Sequence, residues 1–144
     1  MATTIQKRNT AYKVWISDLL NSNYVNGNSD NSNFFKVRDK QVHRVNLVAN
    51  VVFKYDTPEG NYGALTIDDG SGSIRLKAWR DDVVILDGVK VGDMVLVIGR
   101  PRTFNEETYI NPELLRVITD PNWELVRKLE LLKAAYDLIE KLPH

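Results

Sequence analysis

Two short clusters carry most of the chemistry in this 144-residue chain. In "IRLKAWRDD" (74–82), Ile74, Leu76 and Ala78 alternate with Arg75, Lys77 and Trp79. Successive side chains of an extended strand point to opposite faces, so the apolar trio reads as core and the other face holds two cations and an indole. In "RPRTF" (100–104) the same alternation brings Arg100, Arg102 and Phe104 to one side. An aromatic ring standing open among cations is a stacking platform for an unpaired base, because every base has a π-face and neighbouring Arg and Lys can meet the phosphates. The competing reading is purely structural. Trp79 then covers one end of the fold or packs on a helix, Phe104 caps the core, and the cations form an ordinary solvated face.

Other chemistries are poorly supplied. The pairs Asp68–Asp69 and Asp81–Asp82 have the carboxylates that hold Mg²⁺, but both flank turns or a strand end, where aspartate serves the backbone. No nucleophile–base constellation or phosphate loop accompanies them, so no enzyme and no cofactor are expected. The absence of cysteine excludes disulfides and thiolate sites. With only His43 and His144, a zinc site would need almost entirely carboxylate ligands, and no metal is expected. Nineteen basic residues balance nineteen acidic ones, which argues against gripping nucleic acid by bulk charge and leaves room for a local patch. With no run of about 18 apolar residues and no basic-then-apolar leader, neither a membrane span nor a signal peptide is expected.

The elements that must position these residues follow from periodicity. Residues 1–11 are polar and read as a flexible terminus; "YKVWISDLL" (12–20) reads as a short strand or a turn capped by Ser17 and Asp18. The Asn/Ser/Gly-rich stretch 21–33 reads as a surface insertion. From Gln41 a long strand puts Val45, Leu47, Ala49, Val51 and Phe53 on one face, with Arg44, Asn46, Asn50 and Lys54 on the other. Such a strand is long enough to bend and serve two sheets. "YGALTI" (62–67) and the first cluster form a hairpin closed by "DDGSGS", whose two glycines supply positive φ. After a connector come a fourth strand (94–104), a polar turn (105–107) and a fifth strand (108–118), in which Pro112 marks an edge or a bulge. Five strands in this order have the pattern of an OB-fold barrel over residues 12–119.

The tail, 120–144, reads as a helix, with Asp120 as N-cap and Pro121 as its first residue. Leu125, Leu129, Leu132, Tyr136 and Ile139 recur at spacings of four and three, a heptad seam. Trp123, Val126, Leu131 and Leu138 lie off it, so the helix suits more than one partner, as in a three-helix bundle. The opposing possibility is that it folds back and plugs its own barrel. Affinity favours a tether. Two stacked bases contribute roughly 2–6 kcal/mol, whereas micromolar binding needs roughly 8 kcal/mol. A single barrel binds weakly, and joining it to others makes the second engagement intramolecular.

In this order and spacing, "YKVWISDLL", "VNLVANV", "LTIDDGSGSIRLKAW", "MVLVIGRPRTFNEETYI" and the C-terminal helix resemble the middle, single-barrel subunit of the replication protein A family. That resemblance implies a single-stranded-DNA-binding subunit of a heterotrimer acting in replication, repair and recombination. It puts the family's two stacking aromatics on Trp79 and Phe104, with the helix joining large and small OB-fold partner subunits. The telomere-capping subunits share the barrel-plus-helix layout and imply an assembly role with little DNA contact. Neither a phosphorylated Gly/Ser-rich tail nor a winged-helix domain is visible, which suggests a pared-down, archaeal form placed in the cytoplasm and nucleoid, or in the nucleus if eukaryotic. DNA and RNA are not distinguished by the residues.

Overall fold

A computed structural model describes residues 10–26 and 33–140. The order is β1 (Ala11–Lys13), α1 (Ile16–Leu20), β2 (Asn23–Val25), β3 (Phe34–Val37), β4 (Lys40–Val42), β5 (Arg44–Asp56), β6 (Tyr62–Asp68), β7 (Ser73–Trp79), a 3-10 segment (Arg80–Leu86), β8 (Met94–Phe104), β9 (Glu107–Ile118) and α2 (Asn122–Glu140). The main sheet runs β1-β5-β6-β7-β9-β8, and β8 pairs again with β5, which closes the ring. The OB-fold expectation holds. β5 is the strand that makes closure possible: its first half pairs with β8 and its second half with β6.

Alternation builds the core. Val45, Leu47, Ala49 and Val51 of β5 meet Leu65, Ile67, Ile74, Leu76, Ala78, Val95, Val97 and Ile110. Ile16 and Leu19 of α1 also join the core. The β6–β7 loop caps this short helix, with Ile16 N–H donating to Asp69 Oδ2 and Ser17 N–H to Ser71 Oγ. Ser17 and Asp18 are therefore not the whole cap; Asp18 accepts from the N–H of Trp15, and Leu20 stays exposed.

Several expectations need correction. Phe53 does not follow Val51 into the core. A bulge at Val52 shifts the register between Val51 and Phe53, and one extra residue reverses every later side chain. Phe53 is thus exposed, while Lys54 turns to donate to the carbonyls of Leu86 and Val89. The stretch 21–33 is not all loop: β2 pairs with β3, Tyr24 lies 4.8 Å from Phe35, and β2-β3-β4 make a small second sheet; residues 27–32 lie outside the described residues. Of the supposedly flexible 1–11, Ala11 opens β1 and pairs in parallel with β5; residues 1–9 lie outside the described ones. Only Gly70 of the two loop glycines has positive φ. At Gly72 an added Cβ would meet Leu20 at 3.4 Å and Ile16 at 3.6 Å, ordinary van der Waals contact. Pro112 does lie at a bulge, opposite Gly99, where the β8–β9 register shifts.

Candidate nucleic-acid interface

β7 places its side chains as the alternation requires. Ile74, Leu76 and Ala78 are buried; Trp79 is 42% exposed on the outer face. It does not stand alone. Tyr62, its cross-strand partner on β6, lies 5.5 Å away edge to face, Tyr109 of β9 lies 5.8 Å away on the other side, and Tyr55 meets Tyr62 at 6.1 Å. Four rings on four strands form one edge-to-face row. This is the preferred arrangement of aromatic quadrupoles, and it braces each ring against its neighbours.

Phe104, at the end of β8, is 69% exposed. Register puts it on the same outer face: Arg102 pairs with Tyr109, and Phe104 pairs with Glu107. Neither ring is part of the buried core. The hairpin that carries Phe104 turns through Asn105 and Glu106, both at positive φ, the geometry of a two-residue turn whose twist matches the strands it joins.

The cations are less free than alternation suggests. Glu107 accepts from Arg75 Nε and Nη2 and from Lys77 Nζ, each at 2.6 Å. Lys77 is also 4.8 Å from the Tyr109 ring centre. The bidentate Arg75 contact, with Lys77 assisting, holds the Glu107 carboxyl down at about 2, and the same contact raises Arg75. Arg100 lies 3.8 Å from Glu113, a carboxylate that Arg44 already engages at 2.7 Å. Among the described residues, Arg102 has no ion pair.

The first aspartate pair serves the backbone. Asp68 accepts from the Ser73 hydroxyl and from Gly70 N–H, which hold its carboxyl low, and Asp69 accepts from Ser71 N–H and Ile16 N–H. Asp81 and Asp82 lie in the first turn of the 3-10 segment. Among the described residues no three of His, Cys, Asp or Glu gather as a metal ion would need.

The helix is docked along one stripe and open along another. Asp120 caps it through Asn122 N–H at 3.0 Å. Arg127 donates to the backbone carbonyl and side-chain oxygen of Asn46, both at 2.7 Å, and Leu131 is buried beside it. Lys13 pairs with Glu130, which lowers that carboxyl, while burial lowers Arg127. The seam Leu125, Leu129, Leu132, Tyr136 and Ile139 remains 56% to 62% exposed. The helix therefore does fold back on the barrel, through a stripe other than the seam. Leu131, off the seam, is its anchor.

Sequence reasoning missed Tyr55, Tyr62, Tyr109 and Glu107. The tyrosines carried a signal, since Tyr62 and Tyr109 sit on strands flanking β7 once the sheet order is known. Glu107 carried none; it looked like turn.

Comparisons with known proteins agree with this architecture. A chain of yeast replication protein A bound to single-stranded DNA is 26% identical, covers 92% of this chain and 94% of its own, and superposes with a TM-score of 0.70. A chain of the Stn1–Ten1 complex of S. pombe is 18% identical over 92% of this chain and 96% of its own, with a TM-score of 0.74. A chain of a replication protein A heterotrimer bound to single-stranded DNA is 22% identical over 90% of this chain and 98% of its own, with a TM-score of 0.73. An uncharacterized protein of Methanocaldococcus jannaschii is 29% identical over 93% of the chain, which spans only 52% of that relative's length. The family described as OB-fold nucleic acid binding domain (tRNA_anti-codon) matches residues 41–118, more than half of the chain, and the protein belongs to that family.

Proposed function

We propose that this chain is the single-stranded-DNA-binding subunit of a replication protein A-like complex. Residues 12–119 hold the nucleic acid, and the helix from 120 onward joins large and small OB-fold subunits. The observation that carries this reading is the aromatic row that holds exposed Trp79 between Tyr62 and Tyr109, with Phe104 on the same outer face. Trp79 and Phe104 stack on bases; Arg102, with Arg75, Lys77 and Arg100, meets phosphates. The work is binding rather than catalysis.

The two surfaces do not compete for space. The helix adjoins the loop at one end of the β6–β7 hairpin, where Lys128 lies beside Asp69 and Ser71. Trp79 and Tyr62 pair at the other end. Seven residues of strand separate them by about 20 Å.

The test is oligonucleotide titration of Trp79→Ala, Phe104→Ala and the double variant, each checked by circular dichroism. Each single change weakens binding by about 1–3 kcal/mol. Native folding with undiminished binding in the double variant overturns the assignment of this face. The second reading, an assembly subunit of the telomere-capping kind, is favoured by one observation: five seam residues stand open while Arg75 and Lys77 are engaged internally. It predicts that the reconstituted complex binds DNA equally well with and without the Trp79 ring.

A further inference from the structure

We propose that Glu107 is a built-in competitor for the phosphate backbone, and that it restricts the Trp79–Phe104 face to nucleic acid whose bases are unstacked. The inference rests on the reading of those two rings as base-stacking platforms. A bidentate carboxylate occupies the Arg75 fork as a phosphate would, and the same carboxylate holds Lys77, whose side chain is largely covered. Two cations and one anion leave this cluster with a single net positive charge. An incoming phosphate must therefore exchange with Glu107 instead of meeting bare cations.

Anion for anion, that exchange gains little. No ordinary pH assists it, because the carboxyl is held at about 2. What tips the balance must come from beside the cluster, and the rings are there. Phe104 is directly across the ladder from Glu107, and Trp79 follows Lys77 by two residues on the same face. A single strand brings phosphates and base faces together, so stacking compensates for displacing Glu107. A duplex brings phosphates with its base faces already stacked, and the carboxylate keeps its cations. Selectivity for single strands then arises without any contact that reads sequence.

The experiment uses the full chain, with wild type, Glu107→Gln, Glu107→Asp and Trp79→Ala titrated against an oligothymidylate and against a duplex of similar length over a salt series. Glu107→Gln is expected to bind duplex about fivefold more tightly, the worth of releasing one partly exposed ion pair. Its preference for the single strand shrinks accordingly, and the slope of log affinity against log salt on the single strand steepens by about 0.7 per freed contact. Glu107→Asp, which keeps the charge, retains the wild-type preference. An unchanged preference in Glu107→Gln, or single-strand binding that falls with no change in slope, overturns the proposal and leaves Glu107 as a residue that positions Arg75. The arms separate the two readings. Loss of binding in Trp79→Ala with an unchanged Glu107→Gln sinks the competitor alone, whereas wild-type behaviour in both variants sinks the binding face as well.

Discussion

Two apolar surfaces stand open on this molecule, and they differ in kind. On the barrel the exposed groups are rings, braced edge to face across four strands and interleaved with Arg75, Lys77 and Glu107. On α2 they are mostly aliphatic, in one heptad row, on a helix anchored by Arg127 and Leu131. The first suits a flat, charged polymer, because rigid π-faces stack and cations sit within reach. The second suits another amphipathic helix, because Leu and Ile knobs need matching holes and no charge. Exposed apolar area alone would have put the two in one class. Bracing and charge separate them.

They should also break differently. The ring face depends on the β8–β9 register, and that register passes through Gly99. A Cβ there would stand 2.5 Å from the Asn111 carbonyl oxygen, 2.7 Å from Ile110 Cγ2 and 3.0 Å from Pro112 Cα. Two of these are backbone atoms that cannot swing aside, so Gly99→Ala should cost about 3 kcal/mol in urea unfolding. It should also disturb Tyr109 and Phe104 together, whose pairings follow the bulge. A wild-type midpoint would mean that Gly99 does not pack against the β9 backbone.

Attacking the helix anchor is the converse experiment. Arg127→Ala removes both hydrogen bonds to Asn46 and the packing of the long side chain stem, an expected loss of about 2 kcal/mol. Hydrogen exchange should show α2 loosening first. Binding of an oligonucleotide by the isolated chain should stay within about twofold of wild type, since Asn46 lies on the first half of β5, away from the rings. A large loss of binding would show that the two surfaces are coupled.

Acid provides a third, smaller distinction. The Glu107 carboxyl is depressed in the folded state to about 2 by Arg75 and Lys77. Its contribution is therefore complete above the unfolded carboxylate range, near pH 4, and is lost as pH falls through about 2. Between pH 5 and 8 the cluster keeps its charge. Comparing the pH dependence of stability in wild type and Glu107→Gln should give parallel curves over that range, with wild type losing its advantage and the curves converging only below about pH 4; a change in their separation near neutrality would contradict the ion-pair geometry.

What the sequence disclosed and what it hid follow from the range of the interactions. The faces of β7 and β8 are legible because period two is local, and Trp79, Phe104 and the helix seam came from spacing alone. Phe53 was misassigned because a bulge is one inserted residue with no signature in composition, and after it the parity reverses. Glu107 could not be seen as a partner of Arg75, thirty-two residues away, until sheet order brought β7 and β9 together. On the helix, Leu131 and Leu132 are the same residue type side by side, one docked and one open; only the position of Asn46 and Arg127 decides between them.

The turn that carries Phe104 allows the finest adjustment of the ring face without touching the helix. Asn105 at φ 50° and Glu106 at φ 65° both occupy the left-handed region, which a side chain other than glycine or asparagine enters at a cost of roughly 1–2 kcal/mol. Glycine at the second position would remove that strain but would lose more entropy on folding, roughly 0.5–1 kcal/mol. The net expectation for Glu106→Gly is a stabilisation of about 0.5 kcal/mol, readable as a small rise in melting temperature. Because the two-residue turn fixes Phe104 opposite Glu107, oligonucleotide affinity should hold constant as stability rises. If affinity falls instead, the Glu106 side chain does more than close a hairpin, and the boundary of the interface must be extended around the tip of the β8–β9 arm.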